Sequence, residues 1–399
     1  MQKRVSTPGR LLIASLAIIL TGCGGGPDSG SASGDNRGKP KGTINIGVLV
    51  PLSGDTAIYG ADLLNAAKLA ADEINAAGGV LGRRIEIVAV DDGCDPQTGT
   101  AAAQQLLGRG IVGVAGGYCS SAAIPETVVL HPKGIPYIAI ATNPALTERG
   151  LNTVFRITGR DDRQGNFAAR FLAGPAGAKR LAILHDNTTY ARGLAEETRT
   201  ANSELQLGME VAFFDAITPG EGDYTSTLTK VSGSGADTLY FTGYAPEAGL
   251  IVRQAKELGS PMRLIGGDAT NEPAVIRTAG PAAEGYIVTT APLPEFLPGA
   301  TAFISAYTER FGEMPGAFSV YEYDAVKVLA EAVTQAVSTD PQDVAEALRT
   351  TRSAGITGEI AFDAKGDRQT IVYLTAIVQE GKFRPHKRIG ANGNWFDAL

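Results

Sequence analysis

INIGVLVPLSGDTAIYGADLLNAAKLAADEINAAGGVLGRRIEIVAV, residues 44–90, decides the fold. Its opening run, Ile44 to Val50, is continuous and rich in β-branched residues, and Pro51 with the turn Ser53-Gly54-Asp55 stops it. From Gly60 to Ala77, Leu63, Ala67, Ala70 and Ile74 recur at helical spacing until Gly78-Gly79 ends the helix. Arg84 to Val90 then reads as a second strand. A continuous apolar strand, an amphipathic helix and another strand make a βαβ unit, whose strands are parallel and covered on both faces.

Working outward, the same rhythm continues through a helix at Pro96–Leu107, a strand at Ile111–Ala115, a helix at Ser121–Leu130 and a strand at Ile135–Ile140. It restarts after Asp161. Strands are predicted at Arg180–Leu184, Glu210–Phe214, Thr238–Phe241 and Arg263–Ile265, and helices at Leu194–Leu205, Tyr224–Val231, Pro246–Leu258 and Pro273–Thr278. Two βαβ series of similar size predict an α/β protein of two doubly wound lobes with parallel sheets. The roughly 357 residues from Thr43 onward exceed what one core usually supports, which agrees with two lobes. The last third adds helices at Ala300–Phe311 and Val320–Val337, and a short one after Asp340-Pro341. A hairpin-like pair, Gly358–Phe362 and Thr370–Gln379, is expected around the turn Asp363–Gly366.

The chain's start has different chemistry. Lys3, Arg4 and Arg10 precede the apolar run Leu11–Leu20, which leads to Leu20-Thr21-Gly22-Cys23. That run is shorter than the ~20 residues that span a bilayer, and matches the core of a signal peptide. Small residues before a cysteine resemble a lipobox, in which Cys23 takes a lipid and the chain is cut before it. Residues 1–22 are thus expected to be a lipoprotein signal peptide and 23–42, rich in Gly, Ser and Pro, a flexible tether on the extracytoplasmic face of a membrane. The alternative is an ordinary secretory signal with Cys23 incidental. Without residues 1–22, which hold three basic and no acidic residues, the 35 basic and 42 acidic residues leave a charge of −10. That balance argues against nucleic acid or an anionic membrane surface as partner. If Cys23 carries lipid, Cys94 and Cys119 remain as a candidate disulfide, or as two buried thiols.

Motifs of catalysis are missing. The chain has no G-x-x-x-x-G-K-[ST], G-x-S-x-G or H-E-x-x-H pattern. Of its three histidines, His131 at a helix end and His386 in a basic tail read as solvated, and His185 ends a strand with no nucleophile near it. The pairs Asp91-Asp92 and Asp161-Asp162 read as turn or cap residues. No catalytic residue, metal site or cofactor is expected.

Ligands of open parallel sheets bind beyond the carboxyl ends of the strands. Here those ends carry Tyr59, then Tyr118, Cys119 and Ser120, then Ile140-Ala141-Thr142, and in the second series Tyr190, Tyr244 and Asp268. Ser120 with the backbone N–H groups of a helix start makes an anion site, to which Thr142 adds a hydroxyl. Asp268 supplies the opposite charge, and the tyrosines supply apolar walls with polar tips. Together they describe a zwitterionic amino acid. Singly, Ser120 also reads as a plain helix cap, each tyrosine as packing and Asp268 as a cap of the next turn. A Cys94–Cys119 disulfide would tie two of these loops, contributing roughly 3 kcal/mol through loop closure.

From Ile44 to Gln379 the sequence resembles the leucine/isoleucine/valine-binding proteins, type I periplasmic binding proteins that serve branched-chain amino-acid ABC transporters. The likeness rests on the segments Asp91–Pro96 (DDGCDP), Gly117–Ser121 (GYCSS), Ala141–Gly150, Arg156–Gly159, Asp161–Gly165 (DDRQG), Gly243–Glu247 and Phe362–Asp367 (FDAKGD), in that order. It implies two Rossmann-like lobes, 43–161 with 291–368 and 162–290 with 369–399, joined by three crossovers near 161, 290 and 368. It also implies that Ser120, Thr142 and the backbone of Ile140, Ala141 and Thr142 hold a ligand carboxylate. Tyr244 and Asp268 would take the ammonium, and Tyr59, Tyr118, Tyr190 and Phe318 would surround the side chain. Two positions depart from the family: the acid at 268 is usually glutamate, and the residue at 118 is often leucine. The implied role is a monomeric, non-enzymatic binder that closes on a small amino acid, branched-chain or related, and delivers it to ABC permease subunits. A sensor for amides or other small solutes is the alternative.

Overall fold

The computed structural model describes residues 42–398, so the signal segment, Cys23 and all of the tether except Gly42 lie outside the described residues. The chain runs through β1 (Thr43–Val50), α1 (Ala57–Ala76), β2 (Arg84–Asp91), α2 (Pro96–Leu107), β3 (Ile111–Gly116), α3 (Ser120–Leu130), β4 (Tyr137–Ala139), α4 (Ala145–Glu148) and β5 (Val154–Arg156). These strands form a parallel sheet in the order β2-β1-β3-β4-β5. As the continuous apolar runs required, central β1 is buried along most of its length and β3 along all of it. Asp95 caps α2 by accepting from the N–H groups of Gln97 and Thr98, with Pro96 at the first helical position. Gly60 sits where a Cβ would meet the Pro51 carbonyl oxygen at 1.6 Å, so only glycine lets α1 pack this close to the end of β1.

A second series follows: α5 (Asp161–Ala173), β6 (Arg180–His185), α6 (Thr189–Glu204), β7 (Glu210–Ala216), α7 (Thr225–Gly233), β8 (Thr238–Phe241), α8 (Ala245–Glu257), β9 (Arg263–Gly266), α9 (Pro273–Ala279) and β10 (Ile287–Thr290). Helices α10 (Thr301–Phe311), α11 (Ser319–Ala336) and α12 (Pro341–Thr350) then return to pack on α1 and β3. The chain ends with β11 (Arg352–Gly355), β12 (Gly358–Ala361), β13 (Leu374–Gln379), β14 (Lys382–Ile389) and β15 (Trp395–Asp397). The second sheet has the order β15-β14-β13-β10-β9-β8-β6-β7; β6 to β10 are parallel and the last three strands antiparallel. The result is an α/β fold of two lobes joined by connecting strands, the type I periplasmic binding protein fold.

Three expectations are corrected. The hairpin is not one: β12 pairs with β11, and β13 pairs with β10 and β14. Only the tight turn survives, with a single bridge between Phe362 and Arg368, because Asp367 and Arg368 are pulled into the lobe junction. His386 is no solvated tail residue; it lies in β14 with its ring edge-on to Phe171, and burial lowers its pKa. Helix α6 starts at Thr189, ahead of the apolar repeat that marked it, so Tyr190 stands on its first turn.

At the lobe junction the chain passes from β5 to α5 beside the returning segment at 367. Asp367 accepts from Arg156 Nε at 2.8 Å, from Arg160 Nη1 at 2.7 Å and from Thr147 Oγ1 at 3.0 Å. The Arg156 and Asp367 side chains are both nearly solvent-free. Two segments that stood out in the sequence, Arg156–Gly159 and Phe362–Asp367, are therefore the two halves of one buried ion network.

Candidate functional site

The loops at the carboxyl ends of both sheets face one another across a small cavity. It is nearly filled by its own side chains, with a free volume of ≈ 10 Å³, and is lined by Tyr118, Ile140, Thr142, Tyr190, Tyr244, Asp268, Ala269 and Phe318. Of the larger hollows on the surface, those around Lys256 and Glu284 and around His131 and Arg349 contain none of the sequence-identified ligand residues, and one around Glu272 and Met314 contains only Tyr59.

On the first lobe, Cys94 and Cys119 form a disulfide with Cα atoms 5.3 Å apart. It joins the loop after β2 to the start of α3, and Ser121 Oγ adds a hydrogen bond to the Cys94 carbonyl at 2.9 Å. Ser120 follows as the first residue of α3, buried, with its Oγ accepting from the Asn143 N–H at 3.3 Å. The backbone N–H groups of a helix start have no acceptor within the helix. Gly117, at φ +60°, sits where a Cβ would strike the Tyr137 hydroxyl, which explains the glycine in this loop.

The segment after β4 is pinned from several sides. Ile140 donates to Gly116 and accepts from Thr158 Oγ1 at 2.6 Å, and Ala141 donates to Gly117 and accepts from Arg156 Nη1. The amide groups of Ile140 and Ala141 are thus spent on holding the loop, and Ile140 and Thr142 line the cavity. Ser120, Ala141 and Tyr59 stand behind that lining.

From the second lobe, Asp268 opens a short turn after β9 and is buried. It accepts from Tyr190 Oη at 2.6 Å and Gln164 Nε2 at 3.0 Å. Burial raises its pKa, and those two hydrogen bonds only partly oppose the shift. Tyr244 precedes α8, its ring 5.3 Å from that of Tyr190. Tyr59, on the first turn of α1, reaches across: its hydroxyl donates to the Ala269 carbonyl at 3.3 Å and accepts from the Ala245 N–H at 3.0 Å. Its ring stacks on Tyr118 at 4.8 Å. This contact holds the two lobes together over the cavity.

Sequence reasoning missed Asp161. It begins α5, as a cap residue would, yet it is fully buried and neither carboxylate oxygen has a hydrogen-bond partner. The Thr142 hydroxyl and Arg156 are near enough to oppose the shift, but burial and then the charge of Asp268 push its pKa well up. Gln164, which braces Asp268, was missed too. Both lie in the Asp161–Gly165 segment, where the local pattern reads as a helix start and says nothing of burial. His185, by contrast, is turned away from the cavity: its Nδ1 accepts from the Asn187 N–H and its ring packs on Phe214.

Among the described residues no cluster of three or more His, Cys, Asp or Glu is placed to hold a metal ion, and no helix is long and apolar enough to cross a membrane. Two lobes closing over a buried, acid-bearing aromatic cavity define a solute-binding protein. The periplasmic binding protein family model matches residues 43–382. The chain is 35% identical to Leu/Ile/Val-binding protein homolog 1 of Brucella suis, a match covering 85% of this chain and 91% of the relative. It is 36% identical to the leucine-, isoleucine-, valine-, threonine-, and alanine-binding protein of Pseudomonas aeruginosa, over 82% and 87% of the two chains. The structure of the leucine-binding protein LivK of Thermotoga maritima superimposes with a TM-score of 0.79 at 29% identity, covering 86% of this chain and 97% of that one. LivJ of Streptococcus pneumoniae in complex with isoleucine gives 0.79 at 28%, over 86% and 98%. The chain therefore belongs to the type I periplasmic solute-binding proteins of ABC transporters, in the Leu/Ile/Val-binding family. Membership in that family makes it a non-catalytic, extracytoplasmic binding protein.

Proposed function

We propose that the chain captures a small amino acid, branched-chain or related, between its lobes and hands it to the permease subunits of an ABC importer. One observation carries the reading. Thr142 lies on one side of the cavity, and Asp268, with Tyr190 and Tyr244, lies on the other. A carboxylate and an ammonium on one small molecule would engage both sides at once. Such a ligand stabilises the closed form by its differential contacts.

In this reading Ser120, Thr142 and the N–H groups opening α3 receive the carboxylate. The ammonium lies toward Asp268, with Asp161 as a second acid beside it, and Tyr59, Tyr118, Tyr190, Tyr244 and Phe318 surround the side chain. The lobes comprise 43–161 with 291–368 and 162–290 with 369–399, and the protein acts as a monomer. Cys23 carries the lipid that holds it near the permease and raises their encounter concentration. Titration calorimetry with leucine, isoleucine, valine, threonine and alanine tests the ligand class. Absence of heat, and of any melting-temperature rise, with every one of them would sink it.

A further inference from the structure

Tyr118 carries the only cavity-lining tyrosine hydroxyl that is buried without a hydrogen-bond partner among the described residues. The two rings nearest to it leave it none. Phe318, edge-on at 5.4 Å, has no polar atom. Tyr59, stacked at 4.8 Å, spends its hydroxyl on Ala245 and Ala269, and Tyr190 spends its own on Asp268 and Ala269. Burial holds the Tyr118 phenol in its protonated form, so it both donates and accepts. A buried, unbonded hydroxyl is costly, and a site that keeps one is completed by whatever brings the partner.

We infer that the ligand is a small neutral amino acid whose side chain bears a hydroxyl or carboxamide, and that Tyr118 selects it by hydrogen-bonding that group. This rests on the amino-acid-binding reading above and narrows it. The carboxylate and ammonium have other takers, Ser120 and Thr142 on one side and Asp268 on the other. Tyr118 belongs to the aromatic wall with Tyr59, Tyr244 and Phe318, with ring centroids 4.8 to 6.0 Å from its own. An aliphatic ligand would seal the hydroxyl away from water and leave it unpaired. Purely apolar pockets distinguish isosteres weakly, whereas a pocket with a hydrogen-bonding group strongly rejects the analogue that lacks the partner.

Two nearly isosteric pairs test this by calorimetry on the wild-type chain and on Tyr118→Phe: L-threonine against L-valine, and L-asparagine against L-leucine. In at least one pair the polar member should bind at least about tenfold more tightly, an effect of about 1.4 kcal/mol. Tyr118→Phe should bring that ratio to about one by weakening the polar member alone. Equal or tighter binding of both apolar members by the wild-type chain overturns the inference without use of the variant. So does a Tyr118→Phe loss shared equally by polar and apolar ligands, which would place Tyr118 on the ligand's main chain. Failure of all four ligands, and of every other amino acid, would overturn the underlying reading instead.

Discussion

Replacing Asp268 with asparagine removes a charge and keeps the shape. Asparagine is as long as aspartate, and its carbonyl oxygen still accepts from Tyr190 and Gln164, now at 2.6 and 3.0 Å, so the fold should hold. What changes is the partner for a buried ammonium. Removing one member of a buried charge pair typically costs about 3–5 kcal/mol. With about 1.4 kcal/mol per decade, that is a loss of roughly two to nearly four decades in affinity. Asp161 stays behind as a second buried acid that the ammonium can draw into its charged form, which puts the expected loss at the lower end, near a hundredfold. The assay is titration calorimetry at neutral pH with the tightest-binding amino acid, alongside a melting curve to confirm folding. A folded Asp268→Asn protein that binds within tenfold of wild type would refute the assignment and pass the ammonium to Asp161. In that case Asp161→Asn should show the large loss.

Asp367→Asn strips the shared acid from Arg156 and Arg160 and should cost about 3–5 kcal/mol in urea denaturation; a loss under 1 kcal/mol would mean that the network adds little. Burial pushes the Asp367 pKa up, but the two guanidiniums overcome this and hold it below its ordinary 3.8. Its stabilisation is therefore complete above that value and is lost as pH falls through the lower native one, so Asp367→Asn should flatten the acid limb of a pH–stability curve. Across the lobe contact, the Asp62 and Glu272 carboxylates crowd Gly316, and Glu272 accepts from the Ala317 N–H at 3.3 Å. Burial, then the charge of Asp62, push Glu272 from 4.5 to about 8, with Glu295 adding to the shift and Arg277 opposing it. The stability that neutral Glu272 allows is then complete below 4.5 and is lost as pH rises to about 8, so the free energy of unfolding should fall through this window and Glu272→Gln should level it. Replacing Cys94 and Cys119 by alanine opens a loop of sequence separation 25 and should lower stability by about 3 kcal/mol in denaturant. It should also weaken ligand binding through Ser120.

The fold was legible because parallel strands covered on both faces, such as β1 and β3, carry continuous apolar runs that no exposed strand tolerates. Short elements stayed hidden: β5 and β15 have three residues each, too few for any period to show. Strand β14, Lys382–Ile389, carries five basic residues counting His386 and reads as a solvated tail, yet it pairs with β13 and β15 and five of its eight residues are at least partly covered. Most of the cavity lining was legible from strand ends, where open sheets bind ligands. Asp161 and Gln164 were not, because their importance lies in burial against residues more than a hundred positions away, at Asp268 and Thr289. The turn at Asp363–Gly366 read correctly, but its flanking strands did not. Local turn chemistry does not say which strand a segment will join.

The central claim is that the lobes close on both charged ends of one small amino acid. Calorimetry of the tightest-binding L-amino acid against its methyl ester and its N-acetyl derivative, with small-angle scattering on the same samples, tests it most directly. One site per chain, compaction on binding, and near-complete loss of binding with either derivative are expected. Binding of the ester or the N-acetyl form as tightly as the free amino acid, or binding without compaction, would contradict it.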